Sequence, residues 1–397
     1  MTGGGETAEN GDDSGTQDAE GAPGRLSRFP RLSRLSRRRK GAAALLCLVV
    51  LGAASLGTWA TGTWPFDKES YCWGAWREDS GPVALSDRVM GDGYERVGEE
   101  TAAPAPSPAR ATCSVRVVES TGQGTSSVPA EVSRITAEVG PVPRGAAERR
   151  SWLADFFDAK AAPLPEGLPG FAGGGGGALV LPKACDRNGR PTAVTVRGLR
   201  GTTSVVGSEP DVAQLLLAVA NTAAGKAGCA GGRPMRITAP VADSDTHDLS
   251  GAGKSTCRIP GFDFTEREND RYRAHVGAVE DGVQTCSVDD ETDVSAPGFA
   301  GQFVMARQPR LVALLTGSTG DGSAGDRPPG KGWRGKGKIT GRGGILRAEC
   351  GGAPTVFYMN LGDGLRGIAR PGTREIFARA ANSVAGRLGC EAVAPRS

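Results

Sequence analysis

A chain of 397 residues is long enough for two or three domains that each bury a core, and its net charge of +3 is close to neutral. Gly 61 and Pro 26 together make about a fifth of the residues, which points to many loops. Two histidines leave little material for acid–base catalysis near neutral pH.

The near-neutral total hides an asymmetry along the chain. Residues 1–24 carry Glu6, Glu9, Asp12, Asp13, Asp18 and Glu20 among Gly, Ser and Thr, with no aliphatic stripe to offset the entropy of folding. A basic block follows, Arg25, Arg28, Arg31, Arg34, Arg37, Arg38, Arg39 and Lys40. It abuts residues 41–60, which have no ionisable side chain except Cys47 and just reach the length that crosses a hydrocarbon core. Trp59, Trp64 and Phe66 sit where aromatics favour the interface. The expectation is a single-pass cell-membrane protein, N-terminus cytoplasmic and C-terminal region extracytoplasmic. The block is read as a topology signal, so no nucleic acid is expected as a partner. A cleaved signal peptide is the rival, with an apolar stretch at 42–52 and Ala53-Ala54-Ser55 as small residues for cleavage. The long charged lead favours an uncleaved anchor, and Leu46 before Cys47 disfavours lipidation.

Beyond the apolar run stand Cys72, Cys113, Cys185, Cys229, Cys257, Cys286, Cys350 and Cys390. An even set outside the cytoplasm reads as disulfides, and the lack of close C-x-x-C pairs argues against a metal site. The gaps run 41, 72 and 44, then 29, 64 and 40 residues. Flanking residues recur in the same order. Thr112-Cys113-Ser114-Val115 matches Thr285-Cys286-Ser287-Val288, the segment from Asn221 to Cys229 parallels that from Asn382 to Cys390, Gly189-Arg190-Pro191-Thr192 answers Gly352-Ala353-Pro354-Thr355, and YERVG from Tyr94 resembles YRAHVG from Tyr272. Four ordered landmarks predict a tandem duplication. A further string, PGFAG at 169–173 and 297–301, does not fall in register.

Short runs at 113–118, 135–139, 179–181 and 193–196, and at 303–306, 311–315, 345–347 and 355–359, predict strands. Residues 211–228 and 373–389 carry apolar side chains at helical spacing, with Asp211 and Thr373 as expected N-caps and Gly228 and Gly389 as stops. The fold class expected is α+β: two tandem related domains, each a mainly antiparallel sheet with a C-terminal helix packed on it, plus one transmembrane helix. The expected segments are a disordered cytoplasmic tail ending in the basic block at 1–40, a transmembrane anchor at 41–60, repeat one at 66–229, a linker at 230–255 and repeat two at 256–397. Neighbouring cysteines are the expected partners, because a helix returning over its own hairpin brings the third and fourth together. Each such loop stabilises by about 4 kcal/mol in the chain-entropy model.

Loops are expected at 101–109, at the five glycines 173–177 and at 317–344. The last carries Arg327, Lys331, Arg334, Lys336, Lys338 and Arg342 around Trp333. A solvated loop is the plainer reading, and contact with an anionic envelope polymer or phospholipid is the other. Gly251-Ala252-Gly253-Lys254-Ser255-Thr256 imitates a phosphate-cradling loop, but Asp248 occupies the place of the first glycine. Asp243, Asp245, His247 and Asp248 form an acidic cluster read as a solvated linker rather than a metal site. Trp152 and Phe156 read as core on a short helix. No catalytic, cofactor-binding or metal-binding residue is assigned, and no cofactor is expected.

With Tyr71-Cys72-Trp73-Gly74 and the motif from Asn382 to Cys390 added, the layout resembles uncharacterised actinobacterial proteins with a basic cytoplasmic tail, one anchor and a cysteine-containing extracytoplasmic region. That resemblance implies no known activity. The leading expectation is a non-enzymatic envelope module that binds an envelope protein or an anionic wall polymer, of open oligomeric state. The alternatives are an extracytoplasmic hydrolase using carboxylates and a signalling or assembly protein acting through its cytoplasmic tail.

Overall fold

The computed structural model describes residues 69–79, 85, 93–105, 110–120, 131–156, 161–200, 206–242, 245–248, 255–264, 271–277, 282–292, 298–316 and 327–396. The expected tail, basic block and span at 1–60 lie outside them. Among the described residues no helix is long and apolar enough to cross a membrane.

The fold is α+β, with two antiparallel seven-stranded sheets and few helices. The first half opens with a two-stranded ribbon, β1 (Ser70–Tyr71) and β2 (Trp76–Arg77). Then come β3 (Tyr94–Glu100), β4 (Ala111–Glu119), β5 (Glu131–Pro141), helix α1 (Ala146–Ala154), β6 (Ala162–Pro163), β7 (Gly170–Gly173), β8 (Gly176–Val180), β9 (Thr192–Arg200) and helix α2 (Glu209–Lys226). The second half runs β10 (Asp245–Asp248), β11 (Tyr272–Val276), β12 (Val283–Asp290), β13 (Gly298–Ala306), α3 (Pro309–Thr316), β14 (Lys336–Thr340), β15 (Gly343–Cys350), β16 (Ala353–Leu361), α4 (Asp363–Ile368) and α5 (Thr373–Arg387).

Sheet one has the order β3-β4-β5-β9-β8-β7-β6 and sheet two the order β10-β11-β12-β13-β16-β15-β14. Six strands correspond: a meander of three, a helix, three more strands whose last pairs with the third, and a closing helix. The odd strand lies at opposite ends, β6 beyond β7 and β10 beyond β11. Helix α2 covers β7, β8 and β9, and α5 covers β15 and β16. Each covered face has its own apolar cluster, Leu179, Val194, Leu216 and Val219 in the first and Phe303, Leu346, Phe357 and Phe377 in the second. A third cluster draws on both halves: Phe171 and Val180 from sheet one, Val304 and Val356 from sheet two, Leu153 of α1 and Leu311 and Leu315 of α3. Arg149, almost fully buried, donates from Nε to Leu314 O at 3.1 Å across this seam, and Arg310 Nη1 reaches Asp186 Oδ2 at 2.8 Å. Residues 68–397 accordingly form one compact unit.

The motif that recurs at the ends of α2 and α5 has a physical reason. Gly228 and Gly389 sit at φ +66° and +72°, and the next residues, Cys229 and Cys390, donate their backbone N–H to Ala224 O and Ala385 O, both at 2.9 Å. That is the glycine-terminated helix end in which a left-handed residue satisfies orphan carbonyls. One face of each helix carries an asparagine that clasps the chain after the cysteine. Asn221 donates from Nδ2 to Met235 O (2.9 Å) and accepts from Met235 N (2.7 Å), while Asn382 donates to Ala394 O (3.0 Å) and accepts from Ala394 N (2.9 Å).

Several local expectations are corrected. Residues 311–315 lie in helix α3, not a strand: Leu311, Val312, Leu314 and Leu315 all face the core at helical spacing, and Pro309 suits the first turn. Ser208, not Asp211, caps α2; Asp211 sits at the third position and returns its carboxylate to Ser208 N at 2.9 Å, a capping box. Gly372, not Thr373, precedes α5. The glycines at 173–177 build the β7–β8 hairpin, because a Cβ at Gly177 would lie 2.5 Å from Phe171 O and 2.8 Å from Leu216 Cδ1. The stretch at 317–344 contains strand β14, and the stretch read as a linker contributes β10 and packs Val241 into the first cluster. The PGFAG strings fall in β7 and β13, which are not equivalent strands.

The asparagine clasps yield a stability prediction. Asn221→Ala and Asn382→Ala each leave a partly buried backbone pair without its side-chain partner, and each should cost about 0.5–1.5 kcal/mol in urea unfolding. A change below the error of the fit at both positions would show that the clasps are incidental.

Candidate binding edge and the disulfide frame

Four cysteine pairs stand at bonding distance: Cys72–Cys113, Cys185–Cys229, Cys257–Cys286 and Cys350–Cys390, with Cα separations of 5.2, 5.1, 5.8 and 5.1 Å. These are sequence neighbours, and none joins the halves. The first bond of each half ties a short turn to the second strand of its meander, and the other ties a strand–strand connection to the end of the closing helix. The turns match in an unforeseen way. Cys72 and Trp73 have φ of +55° and +61°, and Cys257 and Arg258 have +54° and +55°. Left-handed backbone costs a residue with a Cβ roughly 1–2 kcal/mol. Two such residues at the same place in each half are held by the adjoining disulfide. In the first half they are also held by Trp73, which donates from N to Glu100 Oε2 at 2.7 Å and from Nε1 to Thr101 O at 2.9 Å.

The basic segment at 327–342 is ordered around an aromatic. Trp333 is buried and stacks on Phe377 of α5 with centroids 6.2 Å apart, while the Arg374 guanidinium lies 5.3 Å from its ring. After Trp333 the run Gly335-Lys336-Gly337-Lys338 becomes edge strand β14. Alternation does the sorting: Gly335 and Gly337 are buried, with the site of a Gly335 Cβ only 2.5 Å from Leu346 Cγ, and Lys336 and Lys338 are exposed. Lys336 stands directly opposite Arg347 of β15, and Lys338 opposite Ile345. Lys336, Lys338 and Arg347 have no ion-pair partner among the described residues, whereas Arg334 pairs with Glu391 and Arg342 with Asp363. Exposed Arg327 and Lys331 extend the same positive rim. Like charges directly opposite on neighbouring strands are destabilising. Arg347 lies in a different run of the sequence from the basic segment, and only the register brings it beside Lys336.

The remaining candidates lie elsewhere. Trp152 and Phe156 meet edge to face at 5.4 Å, with Phe156 in the third cluster and Arg197 stacked 4.2 Å above it. The phosphate-loop mimic is outside the described residues up to Lys254, and Thr256 opens a turn into the disulfide-bonded Cys257. Asp243 is also outside them, Asp245 pairs with Arg258 at 2.8 Å, and no metal-holding group occurs among the described residues. A cavity of about 20 Å³, room for one water, abuts the Cys185–Cys229 bond, and Arg187 is its one ionisable lining residue.

No family model matches the chain, and no curated protein or solved structure matches it.

The like-charge pair predicts a stability gain on reversal. Lys336→Glu places an opposite charge across from Arg347 and should raise stability by about 0.2–1 kcal/mol in low salt. A loss of stability would show that Lys336 is there for the fold.

Proposed function

We propose that this chain is a single-pass membrane protein whose extracytoplasmic body binds an anionic polymer of the cell envelope through the β14–β15 edge. The observation that carries the reading is the unpaired set Lys336, Lys338 and Arg347, with two cations set against each other across strands. Such an arrangement works against the free protein and is relieved when a polyanion occupies it. Arg fits phosphate or carboxylate bidentately, and Lys supplies point charges along a repeating anion. The Trp333–Phe377 stack holds the edge rigidly against α5, so little ordering accompanies binding.

The extracytoplasmic placement rests on the basic block at 25–40 before the apolar run at 41–60, and on four cysteine pairs suited to an oxidising compartment. We further infer that the halves are duplicated domains. Their shared strand order, paired left-handed turns, asparagine clasps and disulfides support this. The free cationic edge belongs to the second half, so duplication of the scaffold was followed by divergence of the surface.

The test uses the full-length protein in detergent and a soluble polyglycerol phosphate as probe, with neutral dextran as control. Binding to the polyanion should weaken steeply between 50 and 300 mM salt, because exposed charges are screened. The triple variant Lys336→Glu, Lys338→Glu, Arg347→Glu should lose at least about tenfold in affinity, three lost contacts of ~0.5–1 kcal/mol each. Equal binding by the variant would overturn the assignment of this edge.

A further inference from the structure

Strand β12 is buried on both faces, yet it carries Thr285, Ser287 and Asp289. Register places these on one face with residues of the neighbouring strands. Thr246 of β10 stands opposite His275 of β11, His275 opposite Ser287, and Ser287 opposite Gln302 of β13. A polar row therefore crosses four strands. Within it Thr246 Oγ1 lies 3.1 Å from His275 Nδ1, and His275 Nε2 lies 3.2 Å from Asp289 Oδ2. The chain of groups runs from outside to inside: Thr246, on the edge strand, is exposed, whereas His275 and Asp289 are only 5% and 6% exposed.

The partners set the proton positions. A carboxylate accepts only, so Asp289 takes the Nε2–H of His275. That leaves Nδ1 with its lone pair toward Thr246, whose hydroxyl donates to it. Hydroxyl, imidazole and carboxylate in line is the arrangement that activates a weak oxygen nucleophile. Gln302, wholly buried, has neither amide oxygen nor nitrogen hydrogen-bonded. Its unmet donor and acceptor leave the row open to a further polar group.

We propose that Thr246 is an acylatable nucleophile for carboxylic esters, with His275 as its general base and Asp289 as the positioning residue. This assigns an activity beyond polyanion binding and rests on a different edge of sheet two. Thr246 Oγ attacks the ester carbonyl carbon as its proton passes to His275 Nδ1. Collapse of the tetrahedral adduct breaks the bond to the alkoxy oxygen, which leaves with that proton as the free alcohol. A water, deprotonated by His275, then attacks the acyl-threonine, releasing the carboxylic acid and restoring the hydroxyl. Water is the sole co-reactant.

The test treats the full-length protein in detergent with a fluorophosphonate and with p-nitrophenyl acetate, and maps adducts by peptide mass spectrometry. One adduct is expected, on Thr246. His275→Gln should slow labelling by about 10²–10⁴-fold, the contribution of a positioned general base. Asp289→Asn should slow it with the circular dichroism spectrum unchanged, a separation that a purely structural pin between strands would not give. Should His275→Gln fail to fold, the exposed position decides: Thr246→Ser must be labelled and Thr246→Val must not. An unmodified Thr246, or labelling at the parent rate in His275→Gln, overturns the proposal.

Discussion

Everything in each half hangs on covalent ties between the sheet and an element outside it. A left-handed turn with side chains at both positions, Cys72-Trp73 or Cys257-Arg258, opposes folding by a few kcal/mol. The bonds to Cys113 and Cys286 keep that turn against the second strand of the meander. The second pair of bonds does the same for the helix end, where Gly228 and Gly389 turn the chain so that the following cysteine meets the hairpin. With Ala in so many core positions of α2 and α5, the apolar area per helix is small. Cross-links of about 4 kcal/mol in the chain-entropy model then form a large share of the stability.

The halves are self-stapled but not independent. Sheet one keeps the alternation of a half-solvated sheet in β4, with Cys113, Val115 and Val117 inward and Ser114 and Arg116 partly outward. Sheet two is covered on both sides over β12. The contact with α1, α3 and β6 makes the difference, and Thr285 donates its hydroxyl to Ala161 O across that contact. Polar side chains on β12 are thereby enclosed, which is how His275 and Asp289 come to share a dry setting. Sheet two thus carries the Thr246–His275–Asp289 row at its β10 edge and the exposed cations Lys336, Lys338 and Arg347 at its β14 edge.

Much of this was readable from the chain. The hairpins around Cys185 and Cys350, the strands at 113–118, 135–139 and 303–306, and the two closing helices follow from period and turn chemistry acting locally. What failed depended on partners distant in sequence. The apolar run at 311–315 is too short for its period to choose between helix and strand, and the core it meets decides. The glycines of β8 look like a flexible loop until Leu216 and Phe171 are seen to leave no room for a Cβ at Gly177. Opposition of Lys336 to Arg347, and of Thr246 to His275, is a matter of register, which pairing between strands sets. Nothing local marks His275, whose sequence neighbours Ala274 and Val276 are apolar.

The claim on which the rest stands is that each half closes on itself through its own cysteines. Peptide mapping of the unreduced full-length protein tests it directly. The account predicts four linked species, 72 with 113, 185 with 229, 257 with 286 and 350 with 390. A link between the halves, such as Cys229 with Cys257, would contradict it.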